Sequence, residues 1–310
     1  MPRFELEDIK KRKTFNLKSD KKFRWSETIP WQEFGFEFES LRMDSHHDGP
    51  IESLQEAIGV TPDGLVGKQT LQAVVDYFLK KRASYWNPYT GQVGCRHPDR
   101  LALNVKWNGL DVPVFVPHLT AGTITHDLSL HESGNFTKKD RTLDSIIVHW
   151  GGLDPEHLHR VFSNRDASSH FGIGLDDEGK PYVAQYLDVA HIAWHAKGAN
   201  ETSIGLDICQ QPLVKWLGHY KKKGYDVRVI SNPAEGFGPQ KVLNLDDRIA
   251  LLTKKFLEGL AVAFNISSEM AETPRRVKEP FLGILGHSNV DTKGQGKWDI
   301  APWWDKLKAL

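Results

Sequence analysis

Apolar positions in the second half of the chain fall into short runs without alternation, the pattern of strands buried on both faces. Ser145-Ile146-Ile147-Val148-His149 is β-branched and stops at Trp150-Gly151-Gly152, and Phe281-Leu282-Gly283-Ile284-Leu285 leads in the same way into Gly286-His287. Further strands are expected from His170 to Leu175, from Tyr182 to Gln185 and from Ile204 to Cys209, with an Asp177-Glu178-Gly179 turn between the first two. Helical spacing takes over around Pro155 to Phe162 and across 245–264, where Ile249, Leu252, Phe256 and Leu260 form one stripe and Asn244 is placed to cap it. Strands interleaved with helices predict an α/β fold with a mixed central β-sheet flanked by helices, over residues 141–310.

The first half has a different rhythm. Ile51, Leu54, Ala57 and Ile58 repeat at helical spacing up to Gly59, a Thr61-Pro62-Asp63-Gly64 turn follows, and a second helix starts near Lys68 with Leu71, Val74, Val75 and Phe78 on one face. Residues 46–82 are therefore expected to be a small all-α domain. Residues 1–45 are basic and then aromatic. They suit either a nucleic-acid patch with stacking rings or a solvated arm leading into short strands, and Glu5, Glu7, Asp8 and Asp20 dilute the charge in favour of the arm. Residues 83–140 read as a structured connector, with turn signals such as Asn108-Gly109 around the strand-like run Val112 to Val116. The aromatic residues Trp216, Tyr220 and Tyr225 in the long stretch 210–242 either wall a groove or anchor that stretch to the core.

Composition narrows the classes. The 310 residues balance 40 Lys+Arg against 40 Asp+Glu, which gives no general pull toward nucleic acid or a membrane surface. No run reaches the roughly 18 apolar residues of a membrane span, and the first residues lack the apolar core of a signal peptide. Cys95 and Cys209 have no CxxC spacing and read as free thiols.

Two histidines that leave buried strands, His149 and His287, with Asp299 returned by a glycine-bearing loop, have the composition of a catalytic zinc site with its fourth position left to water. With fourteen histidines in the chain, spacing alone leaves open that each is an ordinary core or surface residue.

Taken together, Val148-His149-Trp150, Ser169-His170-Phe171, Ala193-Trp194-His195-Ala196, the run Asn200 to Ile208, Gly286-His287 and Lys297-Trp298-Asp299 resemble the zinc-dependent N-acetylmuramoyl-L-alanine amidases. That family includes amidase-type phage lysozymes, anhydro-muropeptide amidases and peptidoglycan recognition proteins. The likeness runs from about Thr142 to Leu310. It implies Zn2+ held by His149, His287 and Asp299, and Lys297 facing the developing oxyanion. It also places Asp207 where the anhydro-muropeptide enzymes carry a glutamate as general base. The tyrosine of the phage enzymes is replaced here by Ser169, and His170 and His195 are the other candidates for binding substrate or carrying a proton. Residues 46–82, with Asp63-Gly64, Gly67 and Thr70, resemble a peptidoglycan-binding helical domain. The resemblance thus implies a monomeric phage endolysin that is made in the cytoplasm and acts on bacterial peptidoglycan in the cell wall, with no nucleic-acid partner. The alternatives are a non-catalytic recognition protein and an intracellular muropeptide-recycling amidase.

Overall fold

The computed structural model describes residues 6–34, 50–81, 84–95, 100–117, 126–127, 135–234, 238–272, 281–290 and 298–310. The chain divides into two compact units, Met1–Pro98 with Asn104–Pro113, and Asp99–Leu103 with Val114–Leu310.

In the first unit, α1 (Leu6–Phe23) and α2 (Trp25–Thr28) precede α3 (Pro50–Ile58), α4 (Lys68–Lys81) and a small antiparallel pair, β1 (Ser84–Trp86) and β2 (Val93–Cys95). Phe23, Trp25, Trp31, Leu54, Leu71, Val74, Val75, Phe78 and Trp86 form one buried cluster. The stretch read as a solvated arm is thus helical from Leu6. Its lysines mask a second feature, since Asn16, Ser19 and Phe23 lie at helical spacing and all three are buried. Asn16 binds the α3–α4 turn from both sides: its Nδ2 donates to Gly64 O at 2.9 Å and its Oδ1 accepts from Val66 N at 3.0 Å. Ser19 Oγ donates to Val66 O, and Gln55 Oε1 accepts from Gly64 N at 2.9 Å. Gly64 sits at φ +70°, where a side chain would be strained, and a Cβ there would also meet Glu52 and Arg12.

The division between units falls in a hairpin of β3 (Arg100–Trp107) and β4 (Leu110–Pro117), whose two-residue turn has positive φ at both Asn108 and Gly109. The second unit continues with β5 (His126–Asp127), β6 (Phe136–Thr137), β7 (Ser145–Trp150), α5 (Pro155–Ser163), β8 (Phe171–Leu175), β9 (Pro181–Gln185), β10 (Ile192–Ala193) and β11 (Ser203–Ile208). Then come α6 (Leu217–Lys222), β12 (Val229–Ser231), β13 (Lys241–Leu243), α7 (Asp247–Ala263), β14 (Gly283–Gly286), α8 (His287–Val290) and α9 (Trp304–Ala309). Among the described residues, six strands make the main sheet in the order β14-β7-β11-β8-β9-β5. The first four are parallel, β9 is antiparallel to β8, and β5 is parallel to β9. Every residue of β8, β11 and β14 is buried, as expected of strands covered on both faces. The second unit is a mixed α/β sheet flanked by helices, the amino-terminal region is helical, and no helix among the described residues is long and apolar enough to cross a membrane.

One local expectation is overturned and one open choice is decided. The cap of α7 is Asp246, whose carboxylate accepts from Arg248 N, because Asn244 is occupied in pairing with Arg228 N and Asp226 O. Tyr220 and Tyr225 are buried, and the Tyr220 hydroxyl accepts from Gln211 N at 2.6 Å, so these two rings anchor their segment to the core.

Candidate metal centre

Parallel strands deliver their carboxyl ends to one edge of the sheet, where ligands of open α/β sheets usually collect. Here β7, β11 and β14 bring His149, Asp207 and His287 to that edge. Asp207 is paired in register with His149, so the two side chains share a face, and His287 follows the Gly286–Val148 pair. Asp299 arrives from the chain's last turn. Its neighbour Ile300 is fully buried, and Gly286 makes room for it, since a Cβ at Gly286 would lie 2.6 Å from Ile300 Cγ2. Trp303 Nε1 donates to Leu243 O at 2.9 Å and Trp304 Nε1 to Ala271 O at 2.8 Å, fixing the segment that carries Asp299.

His149, His287 and Asp299 converge. The two Nδ1 atoms are 3.1 Å apart, His287 Nδ1 is 2.7 Å from Asp299 Oδ2, and His149 Nδ1 is 3.5 Å from the same oxygen. Two imidazoles and a carboxylate are a common donor set for zinc, and tetrahedral coordination at about 2.0–2.1 Å separates ligand atoms by roughly 3.3 Å. The three distances lie around that value, so the residues present fit the ion. Burial acts to raise the Asp299 pKa, but the two imidazoles beside it prevail and hold the carboxyl well below the usual range. It is ready to ligate in ionised form.

Asp207 is buried, and burial pushes its pKa above the ordinary carboxylate value, opposed by neighbouring His149. A Cβ on Gly151 would sit 2.5 Å from Asp207 Oδ1, so glycine is what lets the carboxylate occupy this place. His195 sets its Nδ1 3.0 Å from His149 Nε2 and its Nε2 3.1 Å from Ser203 Oγ. Burial, and then its neighbour His149, hold its pKa well below the imidazole norm.

His170 is different. Its Nδ1 accepts from Gly205 N at 2.9 Å, which leaves the proton on Nε2 to be donated to His191 O at 2.9 Å. Both nitrogens face the backbone, and Arg141 Nη2 also lies 3.0 Å from Nε2. Burial, and then the neighbouring Arg141 guanidinium, push its pKa far down. Lys297 lies outside the described residues. Ser203, Asn200 and Gly205, which set His195 in place, escape a reading of the sequence. Their only signal is membership of the run Asn200 to Ile208, where small and polar types look like ordinary strand and loop.

The sequence pattern of the N-acetylmuramoyl-L-alanine amidase family matches residues 114–302, more than half of the chain. The chain belongs to this family. No curated protein matches it. Among solved structures, a mutant form of PlyL is 15% identical, with 60% of this chain and 92% of that one covered and a TM-score of 0.33. The catalytic domain of PlyG is 18% identical, with coverages of 60% and 87% and a TM-score of 0.33. The amidase AmiD from E. coli, in complex with anhydro-N-acetylmuramic acid-L-Ala-D-gamma-Glu-L-Lys, is 13% identical, with coverages of 66% and 65% and a TM-score of 0.35.

Proposed function

We propose that this amidase hydrolyses the amide between N-acetylmuramic acid and L-alanine in peptidoglycan, using a zinc ion held by His149, His287 and Asp299. The observation that carries the reading is the convergence of these three donors at the carboxyl edge of a sheet that the family's pattern spans. When bound, zinc supplies Lewis acidity that brings a water's pKa to about 7 and polarises the scissile carbonyl. Asp207, on the same face as His149, is the best placed general base. Its raised pKa makes it a better proton acceptor than an exposed aspartate, provided the pH keeps it ionised. Lys297 is assigned, by resemblance, to face the oxyanion. We assign residues 46–82 to wall binding and the whole to an endolysin-like role at the bacterial cell wall, acting as a monomer.

Digestion of purified sacculi tests this. New L-alanine amino termini without new reducing sugars are expected, and His149→Ala should lower the rate roughly 10⁴-fold or more, since water without the metal returns toward a pKa of about 15.7. Binding of sacculi without release of amino termini would favour the non-catalytic recognition protein instead.

A further inference from the structure

The contacts behind His149 form a chain of hydrogen bonds whose direction can be worked out from one end. Ser203 Oγ lies 2.6 Å from Ala199 O, an atom that only accepts, so the single hydroxyl proton is donated there. The hydroxyl oxygen must then accept from its other partner, His195 Nε2 at 3.1 Å, which places a proton on that nitrogen. A neutral imidazole protonated on Nε2 has a bare Nδ1. That Nδ1, 3.0 Å from His149 Nε2, can only accept, so His149 carries its proton on Nε2 and leaves Nδ1 bare. The bare Nδ1 is the atom that faces His287 and Asp299.

We propose that the Ser203–His195 pair is a relay that fixes the tautomer and ring orientation of His149, so that His195 is a positioning residue for the metal centre. The inference rests on reading that centre as a zinc site. The outer partner of a metal-bound histidine is usually a carboxylate, a backbone carbonyl or water. Here a neutral histidine, itself oriented by a serine, takes that place, and no extra negative charge is brought to the site.

The surroundings hold the relay still. Asn200 Oδ1 accepts from His195 N at 3.1 Å and from Ala196 N at 2.6 Å, fixing the backbone under the ring. On the other side the ring lies against Gly205, where an added Cβ would come within 2.9 Å of His195 Cγ and 3.0 Å of its Nδ1. Ser203 and Gly205 are both on β11, so the strand that carries Asp207 also orients the imidazole behind the metal ligand.

The test uses the full chain and two readouts other than turnover. In the metal-free wild type, at a pH well above the imidazole value of about 6.5, long-range ¹⁵N–¹H correlations should place the protons of both His149 and His195 on Nε2. Zinc affinity, measured by chelator competition, should fall about 10- to 100-fold in His195→Leu, as is usual when an outer partner is lost. The loss should be only a few-fold in His195→Asn, whose Oδ1 can still accept from His149, and small in Ser203→Ala. A proton on His149 Nδ1 in the wild type would overturn the proposal. So would a folded His195→Leu variant with wild-type affinity. Should that variant not fold, the wild-type spectrum decides. A failure of the zinc reading looks different: His149→Ala would keep its zinc, while the tautomers of the metal-free protein would still be read independently.

Discussion

Two buried polar clusters in this molecule are built on opposite terms. Around the α3–α4 turn, Asn16, Ser19 and Gln55 each meet a backbone group, and the donors and acceptors are complementary. At the sheet edge, His149, His287 and Asp299 crowd three ligand-type atoms together, and Asp207 is buried beside them with its pKa raised. The first arrangement is complete as it stands and fastens one segment to another. The second is resolved by something added to it, a cation or a proton. Buried polarity that satisfies itself stabilises the fold, whereas buried polarity left facing itself marks a place where chemistry is done.

The comparison is sharpened most by Asp207→Asn. Turnover is expected to fall about 10²- to 10⁴-fold with zinc content unchanged, the usual value of general-base help. The sign of the pH effect follows from the raised pKa. The wild-type rate should fall, as pH drops, at a point above the ordinary aspartate value of about 3.9. The same carboxylate burdens the fold when ionised, and that burden is absent below about 3.9 and grows as pH rises toward the folded value. The Asn variant should therefore be no less stable than wild type at neutral pH. A variant that loses stability but keeps its rate would turn Asp207 into a member of the self-satisfied class.

A purely apolar contact gives the reference scale. Phe256 of α7 is fully buried, with its ring 5.2 Å from that of Phe171 in β8, and Phe256→Ala should cost about 3–5 kcal/mol in chemical denaturation. Asn16→Leu is the smaller and more discriminating case. It would add an apolar side chain to the buried face of α1, yet it strands Val66 N and Gly64 O without their partner, so a loss of about 1–3 kcal/mol is expected. A gain in stability on denaturant titration would show that the asparagine is dispensable to the turn.

The same contrast explains what can be read in advance. Buried parallel strands announce themselves because β7, β8 and β11 are apolar runs, and His149 and His287 stand where such runs stop. The buried face of α1 sends no such signal, because two of its three residues, Asn16 and Ser19, are hidden through hydrogen bonds to a turn about fifty residues later. The cap of α7 is ambiguous for a related reason, since Asn244 and Asp246 are both good capping types and only tertiary partners choose between them. At the site, spacing alone leaves His149 and His287 among fourteen histidines, and the resemblance is what singles them out with Asp299. Spacing cannot separate His170, locked to the backbone, from His195, whose ring reaches a ligand, because the difference lies in which atoms each nitrogen meets.

The separation of the three converging donors along the chain has a temporal consequence. His149 and His287 stand 138 positions apart, and Asp299 lies further on still. During synthesis, a ribosome that has completed β7, β11 and α7 has made most of the sheet but only one donor of the three. The centre closes only when β14 and the turn carrying Asp299 have emerged and docked, a late, long-range contact of the kind that folds slowly. An amidase centre assembled this way depends on the last segments of the fold, and a chain without them would hold one donor of the three.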